Sequence, residues 1–190
     1  MKKVVLTLAV ALLSTVAFSQ VTFKPGVRAG ANFANLSDTN GDTKTDFYFG
    51  AFGELKLGNV YALQPEINYS RQGSKNPGAG DDAEIQYVGL SLTNKFSPIN
   101  DLGLHLIIGP GIDVKVSDNL NYYDTAPLDF VFFGGIGYDF PMGLSVEARY
   151  KQGIIDVKDG FTELGGDYED DNWLNGVFQV GVSYKFDFSK

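Results

Sequence analysis

The stretch Leu174-Asn175-Gly176-Val177-Phe178-Gln179-Val180-Gly181-Val182-Ser183-Tyr184-Lys185-Phe186-Asp187-Phe188 decides the fold. Leu174, Phe178, Val180, Val182, Tyr184, Phe186 and Phe188 share one phase, and Asn175, Gln179, Gly181, Ser183 and Lys185 share the other. Strict alternation puts successive side chains on opposite faces of a β-strand. The same pattern recurs upstream. From Leu102 to Val116, Leu104, Leu106, Ile108, Ile112 and Val114 oppose Gly103, His105, Ile107, Gly109, Gly111, Asp113 and Lys115. Comparable segments run over about 21–33, 46–57, 60–71, 84–96, 128–140 and 144–154.

Eight alternating segments, with 23 glycines and 14% aromatic residues, predict an all-β chain. The connections alternate in length. Long polar ones cover 35–45, 72–83, 117–127 and 155–172, and short ones fall at Gly58-Asn59, Ser97 to Asp101 and Pro141-Met142-Gly143. Long loops at one end and tight turns at the other mark an eight-stranded antiparallel up-and-down transmembrane β-barrel. Strands of about 10–13 residues suffice, because roughly 9–11 tilted residues cross a bilayer. A three-residue turn at Pro141-Met142-Gly143 predicts that Asp139 pairs with Ser145, with Gly143 left-handed. A two-residue turn at Gly58-Asn59 would mix the faces, which predicts an odd-length turn or a bulge there.

Residue choice sets which face is inside. The apolar face carries aromatics at strand ends, namely Phe47, Tyr61, Tyr69, Phe96, Phe140, Tyr150 and Phe186, as expected at two lipid interfaces. The other face carries Arg28, Glu54, Glu66, Lys95, Asp113, Glu147, Arg149 and Lys151 among glycines and small polar residues. Eight strands leave a lumen that side chains fill. Charges inside it must pair, since a lone buried charge costs several kcal/mol. Arg28 and Glu54 are expected to be neighbours, being equidistant from Gly41.

Met1-Lys2-Lys3, an apolar run to Leu13 and the small-x-small Ala17-Phe18-Ser19 read as a cleavable signal peptide over 1–19, leaving 20–190 as the outer-membrane β-barrel domain. No later run reaches 18 apolar residues, so a second transmembrane helix is not expected. A net charge of −8 argues against nucleic acid as a partner. The absence of cysteine excludes disulfides and thiolate chemistry.

Candidate chemistry is thin. His105, the sole imidazole, falls on the inward face near the turn end, where a packed histidine is the plain reading rather than a lipase base. Asp38-Thr39-Asn40-Gly41-Asp42, with Asp46, begins like a calcium loop but has Thr43 and Phe49 where glycine and glutamate belong. Asp156, Asp159, Glu163, Asp167, Glu169, Asp170 and Asp171 make the last long loop acidic, able to bridge through divalent cations to lipopolysaccharide. Arg71 is placed to meet a phosphate at the outer rim. No catalytic, cofactor-binding or metal-ligating residue is assigned, and no cofactor is expected.

Gly26-Val27-Arg28-Ala29-Gly30-Ala31-Asn32-Phe33-Ala34-Asn35-Leu36, Leu63-Gln64-Pro65-Glu66-Ile67-Asn68-Tyr69-Ser70-Arg71-Gln72-Gly73, Gly143 to Tyr150 and Gly181 to Phe186 resemble the small outer-membrane β-barrel domain family that includes PorT-like proteins. The resemblance implies a bacterial outer-membrane location, with long loops extracellular and termini periplasmic. Outer-membrane lipid and lipopolysaccharide are then the surroundings. The closing strand resembles the aromatic-ending signal read by the barrel-assembly machinery, although Ser189-Lys190 follow Phe188. The expected function is a non-enzymatic barrel with a structural or surface-interaction role. The alternatives are passage of small apolar molecules and an accessory role in protein secretion.

Overall fold

The computed structural model describes residues 22–36, 42–75, 82–99, 102–119, 127–155 and 174–188. Residues 1–19 and the acidic 156–171 stretch lie outside them, as does the 38–41 part of the calcium-like loop. Among the described residues there are eight strands: β1 (Thr22–Leu36), β2 (Asp42–Lys56), β3 (Tyr61–Lys75), β4 (Ala83–Phe96), β5 (Leu104–Asp118), β6 (Leu128–Asp139), β7 (Leu144–Gly153) and β8 (Asn175–Lys185). Each pairs antiparallel with the next, and β8 returns to β1, closing the wall. Closure leaves no sheet edge.

Turn chemistry sets the register. Asp139 lies opposite Ser145, and Gly143 has φ 86°, a left-handed value that a side chain would strain. At the β2–β3 turn, Leu57 N–H donates to Tyr61 C=O, leaving Gly58, Asn59 and Val60 as a three-residue connection. This odd length keeps both strands in phase. The strands run further toward the long loops than alternation alone predicts. β2 begins at Asp42 and β3 continues to Lys75. Polar residues there carry no hydrophobic period, yet their backbone still needs partners in the wall.

The faces are inverted relative to a soluble barrel. Ile67, Leu90, Ile108, Phe132, Ile136, Phe178 and Val182 point outward and are exposed, while Arg28, Glu66, Arg149, Gln72, Thr93 and His105 are buried inside. Aromatics gather at both rims. At the turn end Tyr138 meets Phe140 edge-on at 4.9 Å, and Tyr184 meets Phe186 at 5.3 Å. At the long-loop end Phe49 meets Tyr69 at 5.2 Å and Phe33 meets Phe178 at 6.4 Å. The interior also holds apolar bulk. Tyr48, Phe52, Ile85, Tyr87, Ile107 and Phe133 are buried on the inward phase. With the charges, they fill the small radius of an eight-strand cylinder.

Ile67 sits between the two rims and is 51% exposed on the outer face. Ile67→Arg is expected to destabilise the bilayer-inserted barrel by about 2–4 kcal/mol, read from urea unfolding in lipid vesicles. An unchanged unfolding curve would contradict the face assignment.

Candidate functional site

The alternation that sends Arg28 of β1, Glu66 of β3 and Glu147 and Arg149 of β7 inward brings them together at the centre of the lumen. Glu66 is fully enclosed and takes both arginines: Arg149 Nη1 and Nη2 each donate to it at 3.0 Å, and Arg28 Nη1 donates to its Oε2. Such two-pronged pairing is the strongest arrangement available to a buried carboxylate. Gln64 and Thr93 also donate to Glu66 Oε1, so its lone pairs are occupied. Arg149 Nη2 reaches Glu147 at 2.8 Å, and Arg28 lies 3.6 Å from the same carboxylate. The guanidinium of Arg28 stacks over Tyr48 and that of Arg149 over Phe133, at 5.0 and 5.3 Å from the ring centres. Two arginines and two glutamates thus close the middle of the barrel with balanced charge.

A second cluster lies toward the turn end. Lys95 Nζ bonds Asp139 at 2.7 Å and Glu54 at 3.1 Å, and Lys185 Nζ reaches the same two carboxylates at 3.0 and 3.3 Å. This corrects the expected neighbourhood of Arg28 and Glu54. Arg28 lies opposite Gly50, whereas Glu54 lies opposite Lys24. The β1–β2 hairpin is centred midway between Ala34 and Lys44, not on Gly41. Toward the long loops, Lys151 Nζ holds Asp113 at 2.6 Å, and Asp129 accepts the backbone N–H groups of Ile154 and Ile155.

His105 is fully buried, as the sequence suggested, between the central and turn-end clusters. Its Nδ1 is 3.7 Å from Asp139 and its Nε2 is 3.7 Å from Glu147. Gly137 lies directly opposite, and a Cβ there would stand 2.3 Å from His105 Nε2. Ser145 hydroxyl donates to Asp139 rather than to the imidazole. A nucleophile needs its own hydrogen bond to the base, so these three residues do not form a hydrolytic triad. Among the described residues, no group of three or more histidine, aspartate or glutamate side chains is arranged to hold a metal.

Arg71 reaches the long-loop rim but is already occupied. It donates to Glu84, lies 3.4 Å from Asp46 and stacks over Phe47. Its expected role as a phosphate contact therefore meets two competing carboxylates. Asp46, the expected extension of the calcium-like loop, is likewise held by Lys44 at 3.6 Å.

Between the central cluster and Asp113, a gap of about 20 Å³ remains, lined by Arg28, Tyr48, Glu66, Asp113 and Arg149 among others. That is room for about one water. At the turn end the lumen widens into an open vestibule of about 880 Å³ above Lys95, Lys185 and Glu54. Glu54, Lys95, Asp139 and Lys185 of the turn-end cluster line this vestibule, and the central cluster lies beyond them. Breaking the centre should therefore be costly. Glu66→Gln leaves two buried arginines sharing the single carboxylate of Glu147 and is expected to lose about 3–5 kcal/mol of stability, measured by vesicle unfolding. A loss below about 1 kcal/mol would show that the cluster is wetter than its burial implies.

Comparison with known proteins agrees with this geometry. The family model described as "Outer membrane protein beta-barrel domain" matches residues 5–186. No curated protein matches the sequence at a significant level. Neisserial surface protein A has the same fold, with TM-score 0.55 and 17% identity over 88% of this chain and 100% of that one. Ail, the attachment invasion locus protein of Yersinia pestis, solved with the heparin analogue sucrose octasulfate, gives TM-score 0.51 and 11% identity over 87% and 99%. At these identities the likeness is one of fold.

Proposed function

The chain belongs to the outer membrane protein β-barrel domain family, and from that premise we propose that it acts at the bacterial surface through its long loops. It is a non-enzymatic outer-membrane β-barrel with a polar, side-chain-filled lumen, in a structural or surface role. In the orientation proposed, the loops after β1, β3, β5 and β7 face outward, and the short turns and both termini face the periplasm. Residues 1–19 act as the export signal, cleaved to leave Gln20 first.

The observation that carries the surface role is the Arg28–Glu66–Arg149–Glu147 cluster, which seals the lumen at its centre. With the interior committed to its own side chains, the parts left to meet other molecules are the loops, the turn-end vestibule and the lipid-facing wall. Passage of small apolar molecules has that sealed, ionic lumen against it. A role beside a secretion complex rests on the PorT-like resemblance alone. The barrel-assembly machinery is the expected partner during insertion.

Loop chemistry narrows the surface partner. Seven acids between Asp156 and Asp171 stand with one lysine, Lys158. They favour lipopolysaccharide bridged by divalent cations, or a cationic partner, and repel a polyanion. The sucrose octasulfate bound by Ail is therefore expected not to bind these loops at physiological salt, as read by calorimetry on the folded protein. Submicromolar binding lost on truncating 156–171 would overturn this reading.

Topology is directly testable because the chain has no cysteine. A Thr162→Cys variant should react in intact cells with a membrane-impermeant maleimide, and a Met142→Cys variant only after the outer membrane is permeabilised. The opposite pattern would invert the proposed orientation. In planar bilayers the purified barrel should carry no steady current. A sustained open conductance would refute the sealed lumen.

A further inference from the structure

Three strand prolines, Pro25, Pro65 and Pro110, point to the lipid face of β1, β3 and β5. Proline lacks an N–H and is ordinarily confined to sheet edges or bulges, yet a closed wall has no edge. Whether each proline removes a ladder bond depends on its phase. Ser97 N–H donates to Val60 C=O, so odd-numbered residues at this end of β4 bond toward β3. Even-numbered ones, Leu92 and Asn94 among them, then bond toward β5. Leu92 C=O therefore faces Pro110, which has nothing to donate. The paired register shows the break: it runs to Ser91↔Gly111 and resumes at Asn94↔Ile108.

Beside that break stands Asn94, a carboxamide on the outer phase between Leu92 and Phe96, which are 41% and 44% exposed. A polar side chain facing lipid is expensive unless its groups are satisfied. Asn94 Nδ2 lies 3.3 Å from Ile108 C=O and 3.5 Å from Leu92 C=O, and its Oδ1 accepts the Tyr61 hydroxyl at 2.7 Å. We propose that Asn94 is a clasp on the lipid side of the wall, whose carboxamide stands in for the hydrogen bond that Pro110 deletes, with Tyr61 holding it in place. The residue explains itself by this role and not as a contact for a ligand.

The β2–β3 wall supplies an internal control. There Pro65 faces Gly53, the register skips from Phe52↔Glu66 to Leu55↔Leu63, and Gly53 lies under the ring of Phe23, with no carboxamide hydrogen-bonded to it among the described residues.

Hydrogen exchange of the full-length barrel, folded in bilayer nanodiscs, tests the clasp. Asn94→Leu replaces a polar group by an apolar one on a lipid-facing surface, so in the absence of a clasp it would stabilise or be neutral. The clasp requires instead that Leu92 and neighbouring β4–β5 amides exchange about tenfold faster, the factor of one net hydrogen bond, while the Gly53 amide is unchanged. Pro110→Val restores the missing donor. In that background Asn94→Leu should leave Leu92 exchange unaltered. Should Asn94→Leu fail to fold alone, folding of the Pro110→Val/Asn94→Leu pair supports the clasp. Equal effects of Asn94→Leu with and without Pro110, or no acceleration at Leu92, would overturn it.

Discussion

Lipid offers no hydrogen-bond partner to a backbone, and the rest of this structure follows from that. Strands that cross the bilayer must pair on both sides, so the sheet closes through β8 and β1. Closing with eight strands fixes a narrow lumen. Side chains that cannot face lipid are forced into it together. Ions compressed in this way are tolerable only as mutual partners, which is what Glu66 does for Arg28 and Arg149 and what Lys95 and Lys185 do for Glu54 and Asp139. Burying such groups need not make the barrel more stable than a well-packed apolar filling would. What they contribute is a specified interior: each charge has one set of partners, and a strand slipped by one residue would put them all in lipid.

Much of this was legible in the residues. The period of two located every strand and sorted inward from outward side chains, including His105 and the central ions. The three-residue turn at Pro141-Met142-Gly143 gave the Asp139–Ser145 register. Two things were less legible. Strand ends near the long loops are polar on both phases, as at Thr43-Lys44 or Gln72-Ser74, so no hydrophobic pattern marks where pairing stops. A shift in one such end moves the hairpin centre, and with it the partner of Glu54 from Arg28 to Lys95 and Lys185. Inward aromatics form the second case. Tyr48 and Phe52 share the phase of Glu54, and Phe133 shares that of Val131, but only the packed barrel shows two of these rings lying against arginines. Nothing in the sequence around Asn94 marks it, because its role depends on a proline in the neighbouring strand.

Function divides along the same lines as structure. The wall and lumen are occupied by the task of existing in a membrane, and the candidate chemistry found in the sequence is absorbed by it. His105 lies between two acids, and Arg71 is held at the rim by Glu84 and Asp46. The same framework is shared with Neisserial surface protein A and Ail at 17% and 11% identity. So few shared residues suffice because the framework asks for a pattern, not for particular side chains. Individual character is left to the loops, and here the last of them is acidic.

Spin labels placed one at a time along β5, from Leu104 to Val116, would test the inside-out arrangement most directly. In a lipid bilayer, labels at Leu104, Leu106, Ile108 and Ile112 should collide freely with oxygen dissolved in the hydrocarbon. Those at His105, Ile107 and Asp113 should be shielded from it, giving an oscillation with a period of two residues. A reversed phase, with the Asp113 position open to lipid and the Ile108 position enclosed, would contradict the account.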